Sequence, residues 1–208
     1  MLYRLDMTAE PAPLRDRILD TAEALILERG FNATTVDEIL TGAEASKGAF
    51  FHHFPSKNAL GDALLSRYYD ADIATLERFM GLAEAESDDP AQQAVAFIRH
   101  FEEAADDMTA ATPGCLYVSF VYERLPEDGR DDVVKRSVET WRARLLEKLE
   151  LAAQTRPSLA GVDLAAVADL PSAVFEGGFI LVRATGDASI LRRQLSQLRR
   201  YLELLLDV

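Results

Sequence analysis

With 208 residues and 49% apolar content, the chain can bury one large core, or a small one beside a medium one, without covalent staples. Its single cysteine, Cys115, excludes an internal disulfide framework and any cysteine-rich zinc module, which fits a reducing cytoplasm. A formal net charge of −13 excludes a broadly basic nucleic-acid footprint, so any contact with phosphate has to be local.

Apolar residues recur at helical spacing almost throughout, and no segment shows the two-residue alternation of a half-buried strand, so the expected class is all-α. Leu14, Ile18, Ala22, Leu25 and Ile26 form the stripe of a first helix that stops at Gly30 after Arg29. Thr35 and Glu38 have the spacing of a capping box, and Val36, Ile39, Leu40 and Ala43 continue it as a short second helix. Ser46 caps a third short helix to about Phe54, and Pro55-Ser56 ends it and starts a long fourth helix reaching about Leu82.

Asp89 and Pro90 then open a fifth helix carrying Ala94, Phe97, Ile98, Phe101, Ala105 and Met108. Thr112-Pro113-Gly114 breaks it, a sixth runs from Cys115 to Arg124, and a turn follows from Pro126 to Gly129. Val134, Val138, Trp141, Leu145 and Leu149 mark a seventh helix. An eighth follows the loop from Arg156 to Gly161 and ends near Gly186, with Pro171 predicting a kink or a break inside it. The last helix starts at Ser189 and carries a seam of Leu191, Leu195, Leu198, Leu202 and Leu205. No apolar run approaches the roughly 18 to 20 residues that cross a bilayer, and the N-terminus lacks the apolar stretch of a signal peptide, so a cytoplasmic chain without membrane contact is expected.

Helices two and three have the size and separation of a helix-turn-helix. At about 100° per residue, Phe50 and Phe54 fall on one side of helix three and Gly48, Ala49, His52 and His53 on the other. Small residues there let the helix backbone approach a major-groove floor, and Lys47 and the histidines reach phosphates or base edges. No acidic residue lies between Ala45 and Lys57. Thr34, Thr35, Ser46 and Ser56 stand at helix starts, where hydroxyls and unpaired N–H groups suit phosphate, and Lys57 adds charge. Spacing alone is equally met by an ordinary capped helical hairpin.

The run TTVDEILTGAEASKGAFFHHFPSKNAL resembles the N-terminal signature of the TetR family of bacterial regulators, and GCLYVSFVYE and FEGGFILVRATGD resemble later segments of the family more weakly. The resemblance implies an Ω-shaped, all-helical homodimer of about nine helices per chain. A DNA-binding domain would occupy residues 1–57 and a helical effector-binding and dimerisation domain residues 58–208. It implies a regulator, usually a repressor, that binds a palindromic operator on double-stranded DNA and is released by a small-molecule effector. It also makes Thr35, Lys47, Gly48, Ala49, Phe51, His52 and Lys57 the DNA-facing set. Two positions depart from the family pattern: Glu44 stands in the turn where glycine is usual, forcing a less common backbone conformation, and Phe51 replaces a tyrosine whose hydroxyl would serve phosphate.

Gly177 and Gly178, in an otherwise apolar helix, allow close approach of a partner. With Leu191, Leu195, Leu198 and Leu202 they point to a dimer interface of two helices per subunit. The competing reading is a monomer that buries the same stripe internally. Phe97, Phe101, Tyr117, Phe120, Trp141 and Phe175 are the candidate lining of a pocket for an apolar or aromatic effector, against the alternative of plain core.

A search for catalytic or metal-binding patterns finds neither a GxSxG elbow, an HExxH helix, a CxxC pair nor a phosphate-binding glycine loop, so no catalytic residue, cofactor or metal is expected. Glu102, Glu103, Asp106 and Asp107 read as a solvated acidic face. Cys115, near a helix start, is either a reactive thiol that senses oxidants or electrophiles or a buried, inert side chain. The alternatives to a DNA-binding regulator are a regulator-shaped protein acting through protein partners and an all-helical enzyme.

Overall fold

The computed structural model describes residues 12–110, 114–123 and 132–208. Among these the chain is all-α: α1 (Leu14–Arg29), α2 (Val36–Gly42), α3 (Lys47–His53), α4 (Lys57–Glu86), α5 (Pro90–Thr109), α6 (Leu116–Glu123), α7 (Val133–Ala153), α8 (Leu164–Thr185) and α9 (Ser189–Leu206), with a 3₁₀ turn at Pro157–Leu159. The expected stop at Thr112-Pro113 and the turn from Pro126 to Gly129 lie outside the described residues.

Local signals set most of the ends. Gly30 closes α1 at φ 90° and Gly186 closes α8 at φ 72°, conformations that cost a side chain dearly. Thr35 and Glu38 form the reciprocal capping box of α2, and the side chains of Ser46, Asp89, Asp132 and Asp163 each accept a backbone N–H at the start of α3, α5, α7 and α8. Of the kink or break expected at Pro171, the break does not occur, since α8 is continuous through it. Proline removes a single ladder bond, and burial of Pro171 with Val167, Ala168 and Phe175 holds the helix together across it.

The chain divides into two compact units, through Leu64 and from Leu65 onward. In the first, α1, α2 and α3 pack on one another around Ile18, Leu19, Ile26, Ile39, Phe50 and Leu60, all fully buried. In the second, α5 and α8 flank α9, and α7 lies against α5 and α8. Phe97, Phe101, Leu149, Leu191, Leu195 and Leu202 form its centre.

By length and composition α8 would pass as a membrane span, contrary to the expectation from run length. Its buried face, Val167, Phe175, Gly178 and Val182, instead packs against α7 and α9 as a core helix does.

Candidate functional site

Two features stand out, one in each unit. The first is the outer face of α3. Phe50 and Phe54 turn inward with 0% and 2% of their surface exposed, their ring centroids 5.8 Å apart. Ser46, Lys47, Gly48, Phe51 and His52 are exposed, and Ala49 and His53 are half-buried. Ser46 Oγ accepts the Ala49 N–H at 3.2 Å, which fixes the start of the helix. A Cβ built on Gly48 would meet nothing within 4 Å, so packing inside this chain does not require the glycine. Glycine inside a helix costs about 1 kcal/mol relative to alanine. The result is a flat, side-chain-free patch beside Lys47 on the exposed side of α3.

The threonines before α2 differ from expectation. Thr34 is fully buried, and its hydroxyl donates to the Gly30 carbonyl at 2.8 Å, so its side chain braces the turn and faces no ligand. Thr35 is exposed, but its N–H and hydroxyl both donate to Glu38 Oε2, at 2.9 and 2.7 Å. Glu38 Oε1 in turn takes Arg29 Nη1 at 2.7 Å. The capping box spends the groups that the sequence offered to phosphate, and those hydrogen bonds hold the Glu38 carboxyl below the usual carboxylate range.

Lys57 Nζ lies 4.5 Å from the centre of the Phe31 ring and donates to the Asn32 carbonyl at 3.4 Å, a cation–π seat beside the same turn. Ser56 caps α4 by accepting the Ala59 N–H at 3.0 Å. Between α2 and α3, Glu44 adopts φ 51°, the left-handed region that its place in a usual glycine position requires.

The second feature is a cavity of about 420 Å³ in the larger unit, a size that holds drug-like molecules. Of the candidate lining residues, Phe101, Tyr117, Trp141 and Phe175 stand in its wall. Phe97 and Phe120 do not belong to the lining. Phe97 is fully buried behind it, packing edge-on against Phe101 at 5.2 Å, and Phe120 is 2% exposed.

Sequence reasoning missed the polar part of this wall. Asp72 of α4 accepts from Ser137 Oγ at 2.6 Å, Tyr117 Oη at 3.1 Å and Trp141 Nε1 at 3.1 Å, three donors from two other helices. Burial raises the Asp72 carboxyl, against the opposing pull of those donors. Glu176 of α8 is also raised by burial and is paired with the Cys115 thiol. Partial burial and the adjacent Glu176 push that thiol up to about 12, which disfavours the thiolate at neutral pH. An acid on an otherwise apolar helical stripe was the available signal: Tyr68, Asp72 and Thr75 share one face of α4, and Glu176 stands among Phe175, Gly177 and Phe179.

The leucine seam is also corrected. Leu191, Leu195 and Leu202 are fully buried and Leu198 is 5% exposed within the single chain. They pack into its own core and leave no surface for a second copy. Gly178 belongs to the same contact, since a Cβ there would lie 2.7 Å from Leu191 Cδ1. Gly177 has open space around it. The outward apolar residues of these two helices are Ile180, Leu181, Tyr201 and Leu204, 62%, 43%, 44% and 68% exposed.

Among the described residues no group of three or more His, Cys, Asp or Glu side chains is placed to hold a metal.

Residues 18–64 match the family model described as bacterial regulatory proteins, tetR family. The chain is 47% identical over 57 residues to the HTH-type transcriptional repressor NemR of Escherichia coli K12, a match spanning 27% of this chain and 29% of the repressor, less than a third of its length. It is 29% identical over 133 residues to the HTH-type transcriptional repressor DhaR of a Mycobacterium species, 62% of each. Among solved structures, a TetR-family regulator from Agrobacterium tumefaciens superposes at TM-score 0.69 with 28% identity, over 90% of this chain and 96% of that one.

Proposed function

Because the chain belongs to the TetR family of bacterial regulatory proteins, we propose that it is a transcriptional repressor that reads a palindromic DNA operator as a homodimer and is released by a small-molecule effector. The observation that carries this reading is the outer face of α3, where a glycine with no packing duty sits beside exposed Lys47 and His52. In a major groove the glycine admits the backbone to the base edges, while Lys47, His52 and His53 meet phosphates or bases. Phe51 supplies apolar contact where a thymine methyl is presented. The acidic body repels DNA elsewhere and so restricts the approach to this face.

In this reading residues 1–57 carry DNA recognition and 58–208 the effector site and dimer contacts. The dimer forms through the outward sides of α8 and α9, including Gly177, Ile180, Leu181, Tyr201 and Leu204. Two reading heads in one dimer call for half-sites related by two-fold symmetry. An effector in the aromatic cavity shifts the population between DNA-compatible and incompatible dimers. Repression, the dimer and the cytoplasmic setting are those of the family.

Selection of bound sequences from random duplex DNA tests the reading. Wild type should enrich a palindrome at moderate salt, and the Lys47→Ala, His52→Ala double variant should lose it while melting normally. A wild type that enriches no palindrome overturns it.

A further inference from the structure

We propose, on the reading that the cavity is the effector site, that its ligand is a lipophilic organic cation, an aromatic or alkyl-chain ammonium whose positive head lies beside Glu176 and Asp72. The walls are aromatic on several sides: Trp141 and Phe175 have centroids 5.9 Å apart, Phe101 lies 5.1 Å from Trp141, and Tyr68 meets Tyr117 edge-on at 4.8 Å. A desolvated cation within about 6 Å of the face of a ring in such a wall is attracted to it.

Charge decides the sign. Asp72 and Glu176 both line the cavity, and among its described lining residues there is no lysine, arginine or histidine. The two carboxylates differ in how well they are served. Asp72 has three O–H and N–H donors converging on it, whereas Glu176 is paired with the weak S–H donor of Cys115. Glu176 is half-buried, and a charge partly withdrawn from water with so poor a partner is costly to keep unless something compensates it. A cation supplies that compensation, a neutral ligand would desolvate Glu176 further, and an anion would face two like charges.

Asp72 also couples the cavity to three helices, since its donors come from α6 and α7 and it stands on α4. A cation competing for its oxygens loosens that junction.

Trp141 is the chain's only tryptophan and stands in the cavity wall, so its emission reports occupancy of this site. Three ligands of one skeleton isolate charge: 6-phenylhexyltrimethylammonium, its neutral isostere with tert-butyl in place of trimethylammonium, and 6-phenylhexanesulfonate. The cation should bind at least about tenfold more tightly than the neutral isostere, and the sulfonate more weakly than both. Glu176→Gln, checked by thermal melting, should erase most of that preference while the neutral isostere binds as before.

Equal binding of cation and neutral isostere, a cation preference unchanged in Glu176→Gln, or no change in Trp141 emission with any of the three overturns the cation site. The DNA selection above is scored separately. Palindrome enrichment with no cation preference sinks this inference alone, and cation preference without enrichment sinks the repressor reading and leaves the site's ligand class standing.

Discussion

Arg17 Nη2 donates to the Ala43 carbonyl at 2.6 Å, tying α1 to the end of α2, and the same atom lies 3.3 Å from the Glu44 carbonyl. The turn between α2 and α3 is thus clamped from behind at the residue whose backbone is strained, with φ 51°. Left-handed backbone costs an L side chain about 1 kcal/mol or more, a cost glycine avoids. Glu44→Gly should therefore raise unfolding free energy by about 1 kcal/mol. It should also tighten operator binding at low salt, because a carboxylate beside the groove is removed. Arg17→Ala should act the other way, lowering stability by about 1 kcal/mol through the lost charged hydrogen bond. Chemical denaturation and operator titrations check both; a Glu44→Gly protein less stable than wild type would contradict the strain argument.

The packing of α9 separates core from interface in a way that two leucines can test. Leu195 is fully buried and Leu204 is 68% exposed, although both are leucines of one helix. Leu195→Ala should cost about 2–5 kcal/mol of folding stability through the cavity it leaves. Leu204→Ala should change folding by less than about 0.5 kcal/mol. It should weaken self-association, seen by sedimentation as a shift toward monomer. Because dimerisation stabilises by mass action, melting is compared at matched protein concentration. Weakened association in neither Leu204→Ala nor Tyr201→Ala would remove the outward faces of α8 and α9 as the dimer surface.

These two cases also mark where sequence reading reaches its limit. The caps and stops of α1 to α3 are local chemistry, each written in two residues a few positions apart, such as Thr35 with Glu38 or Ser46 with Ala49. They were readable for that reason. The leucine period in α9 correctly marked a face that leaves water, but periodicity is silent on whether the cover is the same chain or another. Here α5 and α8 supply it. The residue types of Thr34 and Thr35 suit a phosphate, but their hydroxyls already donate to Gly30 and Glu38. Asp72 meets Ser137 and Trp141 across 65 and 69 positions, a juxtaposition that no window of sequence contains.

Glu176 gives a pH prediction. Burial raises its carboxyl, so the folded chain holds that proton more tightly than the unfolded one. For an acid shifted upward, ionisation costs stability above the folded-state pKa, and the cost fades as pH falls to the unfolded value, where both states are protonated. Glu176→Gln removes the ionisation. The variant should be more stable than wild type near pH 7.5, with the gap narrowing as the pH is lowered toward about 5. Melting temperatures across that range check it, and a gap that does not change with pH would assign the difference to packing rather than charge.

Cys115 shows how magnitude decides between two opposing effects at one atom. It immediately precedes α6, and hydrogen bonds from the Tyr117 and Val118 N–H groups favour its thiolate, the feature that made a reactive thiol attractive. Burial and the neighbouring Glu176 carboxylate act against the thiolate, and they win, placing the thiol at about 12. Relative to a free cysteine near 8.5, the thiolate at neutral pH is strongly depleted. Alkylation by iodoacetamide at pH 7.5 should accordingly be slow in the folded chain and fast once it is denatured. In the folded chain the rate should keep rising with pH beyond the point where an ordinary thiol levels off. Cys115→Ser should leave both operator binding and its release by effector unchanged. Rapid alkylation of the folded chain at pH 7.5, or loss of release in Cys115→Ser, would favour the sensing role over the protonated, inert thiol.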